Sequence, residues 1–187
     1  MMDDLKNNLI DIGDLNLHYQ ITGPLGAPWV TIAHSLETNM SMWESQLPVL
    51  SEHFRVLSFD ARGHGCSDIP KTSSAMSNLV EDVLGLWDRL NIERSHFVGL
   101  SLGGMTGMGV ALKAPHRVQS LVACDCRLDA PRFFQDMWDQ RIEVVNSDGM
   151  QGILSQTMAT WFTPQYLDAG GDVIDHVSQM SSADNES

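Results

Sequence analysis

The stretch Phe97-Val98-Gly99-Leu100-Ser101-Leu102-Gly103-Gly104 constrains this chain more than any other. The short segment Ser95-His96-Phe97-Val98 before it reads as a strand, and Leu102 to Ala114 after it, rich in small and aliphatic residues, reads as a helix. Gly99-Leu100-Ser101-Leu102-Gly103 therefore places a serine at the apex of a sharp strand-to-helix turn, in G-x-S-x-G spacing. Such a turn forces the serine into a strained backbone conformation. It also brings the residues two before and two after so close together that a Cβ at either would clash, which is why Gly99 and Gly103 are needed. The strain projects Oγ away from the sheet edge, and the first N–H groups of the helix point at the same spot, so a nucleophile stands beside a site for an oxyanion.

The rest of the chain supplies a sheet for that turn. Leu9-Ile10-Asp11-Ile12 and Leu15 to Ile21 alternate apolar and polar around Gly13-Asp14, a hairpin pattern. Trp29-Val30-Thr31-Ile32-Ala33 is a continuous apolar run of the kind found in a buried central strand. A helix is expected around Met42 to Leu50, then a strand over Phe54 to Phe59. Ser77 is the expected N-cap of a helix whose Leu79, Val80, Val83, Leu84, Trp87 and Leu90 recur at three and four. Val118 to Cys124 is one more apolar strand. Strands alternating with helices give an α/β class: a mostly parallel sheet with helices on both faces. From Asp129 onward three helical stripes follow without a strand, led by Phe133, by Met150 and by Val173, which reads as a helical cap. The expected division is a core over 1–128, a cap over 129–180 and a disordered tail over 181–187.

Composition bears on partners. Net charge is −13, so nucleic acid and anionic membrane surfaces are repelled. No apolar run reaches membrane-spanning length, and Met1-Met2-Asp3-Asp4 lacks a signal-peptide layout, so the expected compartment is the cytoplasm. Cys66, Cys124 and Cys126, an odd number, are expected as free thiols. Cys124 and Cys126 share a strand face and read as small buried residues rather than metal ligands. No metal or organic cofactor is implied.

The order of elements, the His34-Ser35-Leu36-Glu37-Thr38-Asn39 loop followed by Met42-Trp43, the Phe59 to Ser67 segment containing Asp60-Ala61-Arg62-Gly63-His64-Gly65, and the G-x-S-x-G turn together resemble the α/β-hydrolase superfamily. Within it the chain looks most like 3-oxoadipate enol-lactonases and small carboxylesterases. The resemblance implies a serine hydrolase of a small-molecule ester or lactone. Ser101 would be the nucleophile, with the N–H groups of Leu36 and Leu102 forming the oxyanion hole. His34, in that pattern, shapes the loop. Arg62 and His64 brace the next loop, where Asp60 is a capping or turn carboxylate.

The family order of nucleophile, acid and histidine is not completed here. After Ser101 the only histidines are His116, at a helix exit, and His176, on the last cap helix. Asp125 ends the strand after the turn and is the candidate acid. His34 and His176 are the candidate bases. The expectation is an N-terminal portion of a hydrolase, truncated at the C-terminus, with an open sheet edge that a homodimer would cover. A non-catalytic small-ligand-binding module, or a remnant of such an enzyme, remains the alternative. Arg127 and Arg132 are the cations available to a charged substrate.

Overall fold

The computed structural model describes residues 8–183. Six strands form one sheet: β1 Asn8–Asp11, β2 Asn16–Thr22, β3 Trp29–Ala33, β4 Arg55–Phe59, β5 Ser95–Leu100 and β6 Val118–Cys124. Their spatial order is β1-β2-β4-β3-β5-β6. β1 and β2 are the expected antiparallel hairpin, β2 runs antiparallel to β4, and β4, β3, β5 and β6 are mutually parallel. The chain steps from β3 to β4 on one side and then returns to β5 on the other. This reversal opens a crevice at the carboxyl ends of β3 and β5, where open α/β sheets place their ligands. Both the loop after Ala33 and the turn after Leu100 lie there.

Strand alternation sorts the core. Leu57 and Phe97 face helices α2 (Met76–Arg89) and α3 (Leu102–Lys113), in a cluster with Val83, Leu86, Trp87 and Val110. Their neighbours Val56 and Val98 face the other way with Val30 and Ile32, against Trp43, Leu47 and Leu50. The helix expected over Met42 to Leu50 is two pieces, a 3₁₀ turn at Met40–Trp43 and α1 at Leu47–Leu50. Pro48 has no N–H to carry a helical bond across the join. α2 begins at Met76, one residue before the expected cap Ser77. Asn78 closes its end instead, since its Oδ1 accepts the Ala75 N–H at 2.9 Å.

The chain divides into two compact units between Arg127 and Leu128. The second unit holds four helices where three stripes were read: α4 Arg132–Asp148, α5 Gln151–Trp161, α6 Pro164–Ala169 and α7 Asp172–Ala183. The extra helix starts at Pro164, a favoured first position, after a Thr163 cap that accepts from Tyr166 N–H. Of the expected tail, Ser181 to Ala183 end α7, and 184–187 lie outside the described residues, as do 1–7. No helix among the described residues is long and apolar enough to cross a membrane.

One buried polar chain runs through the first unit's core. Trp87 Nε1–H donates to Thr31 Oγ1 at 2.9 Å. Thr31 Oγ1 lies 2.9 Å from Ser95 Oγ, and Ser95 donates to the His96 carbonyl at 2.7 Å. Thr31 is completely buried, so Thr31→Val, which keeps volume but strands the indole N–H, is expected to destabilise the protein by about 1–3 kcal/mol. Urea unfolding of the variant beside the wild type measures this; an unchanged midpoint would show the network to be dispensable.

Candidate active site

The turn after β5 has the strain its sequence requires. Ser101 sits at φ 51° and ψ −111°, a region that side chains rarely adopt. Two bonds hold it there. Its N–H donates to the Cys124 carbonyl at 2.9 Å, and its carbonyl accepts from Met105 N–H, the first turn of α3. The glycines are required by contact. A Cβ on Gly99 would overlap the Gly103 carbonyl, and one on Gly103 would overlap the Ala33 carbonyl and lie 2.7 Å from that of His34. α3 therefore starts flush against the end of β3, and the Ser101 turn and the 34–39 loop meet at one place. Leu102 and Gly103 line an apolar recess there with Ala33, His34, Phe59 and Leu79. Neither Leu36 N–H nor Leu102 N–H is taken by an acceptor among the described residues.

His34 is 2% exposed and both ring nitrogens are engaged. Nδ1 is 2.7 Å from the Ser35 carbonyl and so carries the proton, while Nε2 accepts the Ala61 N–H at 2.8 Å. The imidazole ties the loop after β3 to the loop after β4. Burial, together with His64 whose ring lies 5.2 Å away, holds the His34 pKa down to about 4 despite the bond to Ser35. Thr38, also 2% exposed, donates to the same Ser35 carbonyl at 2.8 Å, and Met42 Sδ accepts from Ser35 N–H at 3.3 Å.

The loop after β4 is braced by Asp60. Its Oδ1 accepts from Met40 N–H at 2.8 Å, and its Oδ2 from His18 Nδ1 at 2.6 Å and Cys66 N–H at 3.0 Å. His18, Asp60 and Cys66 place possible metal ligand atoms within 4.8 Å of one another. With three donors on the carboxylate, we read the cluster as a brace. Arg62 is 7% exposed and grips Asp82 of α2 with Nε at 2.6 Å and Nη2 at 2.5 Å. That bond holds the guanidinium more firmly protonated than usual, while burial pushes the Asp82 carboxyl up against the pull of Arg62. His64 Nδ1 is 3.0 Å from the Arg62 carbonyl.

The remaining sequence candidates lie on separate elements. Asp125 is exposed at φ 41°, one residue past the Cys124 that bonds Ser101. His116 is exposed in the middle of the 3₁₀ turn Pro115–Arg117 after α3. His176 is half-buried on α7, in the second unit. Arg127 is exposed, and Arg132 pairs with Asp136 at 2.9 Å, one helical turn on. Cys66, Cys124 and Cys126 are free thiols. Sequence reasoning passed over Met42 and Thr38 as site residues, and Glu37, which is 5% exposed at φ 63° in the same loop. A non-glycine at positive φ leaves no trace in composition or periodicity.

A family model described as alpha/beta hydrolase fold matches residues 28–165. The 3-oxoadipate enol-lactonase 1 of Acinetobacter baylyi is 35% identical over 150 residues, which are 80% of this chain and 55% of that protein. Among solved structures, a hydrolase from Pseudomonas aeruginosa matches with a TM-score of 0.90 at 35% identity, covering 97% of this chain and 68% of the other. The enol-lactonase from Burkholderia xenovorans matches with a TM-score of 0.87 at 35% identity, covering 94% and 67%. The chain thus spans little more than half the length of the curated relative.

The buried neutral His34 makes stability depend on pH. Below about pH 6.5 the unfolded chain protonates this ring and the folded chain does not, so the unfolded state binds more protons. Its contribution is full above that pH and is lost as pH falls toward about 4, by roughly 3 kcal/mol in all. Urea midpoints taken across this window are expected to fall in the wild type. In His34→Gln, which keeps a donor and an acceptor but does not titrate, they should fall by correspondingly less; parallel curves would show that His34 does not carry the effect.

Proposed function

The chain belongs to the α/β-hydrolase fold family, and on that premise we propose that it is built for serine-nucleophile hydrolysis of carboxylic esters or lactones. The observation that carries this reading is the Ser101 backbone, held at φ 51° between Gly99 and Gly103 at the head of α3. Strain of this kind has a cost, and a serine whose only duty was to join a strand to a helix would not need it. In the proposed reaction Ser101 Oγ attacks the acyl carbon. The carbonyl oxygen becomes an oxyanion, which takes hydrogen bonds from Leu36 N–H and Leu102 N–H. A base removes the serine proton, the alcohol leaves, and water then releases the acyl group from Ser101. The 35% identity to 3-oxoadipate enol-lactonase 1 favours a lactone or small ester as the substrate class.

We assign His34 to holding the loop rather than to the base. His34 has a backbone partner on each nitrogen. His176 is the remaining sequence candidate, with Asp125 as the candidate acid. The engagement of His34 on both ring nitrogens favours a second reading, in which this chain binds an ester-like ligand without turning it over.

Two measurements on the purified chain and Ser101→Ala separate the readings: hydrolysis of p-nitrophenyl butyrate, and covalent labelling by a fluorophosphonate followed by intact mass. Hydrolysis is expected in the wild type, with kcat/KM lower by about 10³-fold or more in Ser101→Ala. Labelling without turnover would mean that Ser101 is activated but not deacylated. Neither labelling nor turnover would leave the binding reading.

A further inference from the structure

We propose that Thr38 is a positioning residue for the oxyanion donor Leu36, an assignment that rests on the hydrolase reading above. Ser35 and Leu36 share one peptide plane. In a trans peptide the N–H points opposite to the C=O, so whatever fixes the Ser35 carbonyl also aims the Leu36 N–H. That carbonyl has two lone pairs and both are filled. His34 Nδ1–H donates from 2.7 Å and Thr38 Oγ1–H from 2.8 Å. Thr38 has one proton to give. Its contacts to Met42 Sδ and His34 Nδ1, both at 3.4 Å, are longer, and the proton goes to Ser35.

The peptide on the other side of Ser35 is held as well. Ser35 N–H donates to Met42 Sδ at 3.3 Å. Met42 rides on the 3₁₀ turn that Asn39 caps and that Asp60 fixes through Met40 N–H. With Glu37 at φ 63° turning the chain back, the loop closes on itself, and Thr38 reaches the carbonyl three residues before it. The two residues that meet at the carbonyl are buried: Ser35 is 5% exposed and Thr38 2%. The outcome is a Leu36 N–H whose direction is set before any substrate arrives, which is what an oxyanion donor must have to act without reorganisation.

Thr38→Val keeps the side-chain volume and removes the hydroxyl, leaving the Ser35 carbonyl with the His34 bond alone; Thr38→Ser restores the hydroxyl. The rate of fluorophosphonate labelling of Ser101 is expected to fall about 3- to 10-fold in Thr38→Val, short of the loss from deleting a donor outright, and to recover in Thr38→Ser. With p-nitrophenyl butyrate the loss is expected in kcat, with KM little changed. Circular dichroism and the urea midpoint establish that each variant is folded, and Thr38→Ala replaces Thr38→Val if the latter is not. Wild-type labelling rates in a folded Thr38→Val, or a loss that Thr38→Ser does not reverse, overturn the proposal. If the wild type itself does not label, the hydrolase reading is what has failed, and amide exchange at Leu36 decides about Thr38. Faster exchange in Thr38→Val supports the clamp, and unchanged exchange removes it.

Discussion

Three backbone segments meet at van der Waals distance where β5 turns into α3, and the first unit is arranged around that meeting. Gly99 at the end of β5 touches the Gly103 carbonyl, and Gly103 touches the carbonyls that close β3. No side chain fits at either position. The approach is tolerated because the parallel sheet fixes both strand ends in register, Ala33 opposite Gly99 and Gly99 opposite Ala123. β6 then supplies the Cys124 carbonyl that receives Ser101 N–H. The strain at Ser101 is thus balanced by the packing of α3 on the sheet, through Phe97, Leu121 and the space that Gly107 leaves for them. The same contact fixes where the 34–39 loop begins, so the serine and the loop that faces it are not independently placed.

Outside that contact, two carboxylates keep the neighbouring loops in place, and they do so differently. Asp60 accepts two backbone N–H groups and one imidazole, joining the segments at residues 18, 40 and 66 through one side chain. A Cβ on Gly65 would run into this carboxylate, so the glycine there is a matter of contact as well as of turn geometry. Asp82 works through charge, accepting a two-pronged bond from Arg62 and tying the loop after β4 to α2. Burial of that pair is expensive. Its return is geometric, since breaking it would leave an unpaired charge in the core and so the loop has few alternatives.

The sequence carried the large features because each rests on a local rule. The hairpin around Gly13-Asp14, the apolar β3, the strand-helix alternation and the G-x-S-x-G turn all follow from periodicity and glycine placement, and the sheet follows from them. Details decided by single hydrogen bonds were not legible. α2 starts before Ser77 because Asn78 reaches back to Ala75, and two side chains could have closed that end equally well on propensity. Pro48 divides the helix read over Met42 to Leu50, although the apolar spacing runs through it. In the candidate site Ser101, Gly99 and Gly103 could be named from their spacing. The roles of Thr38, Met42 and Glu37 depend on how the 34–39 loop folds back against the 3₁₀ turn that follows it, which no periodicity encodes.

The choice of a histidine at position 34 follows from what the loop needs. A group there must donate toward the Ser35 carbonyl on one side and accept from Ala61 N–H on the other, within a space that is almost dry. A neutral imidazole is the side chain that does both along one rigid axis. Its cost is confined to one proton: burial and His64 disfavour the imidazolium, and at neutral pH the ring does not have to carry it. A lysine or arginine would offer donors only and bring a charge into the recess beside Leu102. A glutamine would match the two bonds but through a flexible stem that must be ordered. The ring that looks like a base in the sequence is therefore committed to geometry.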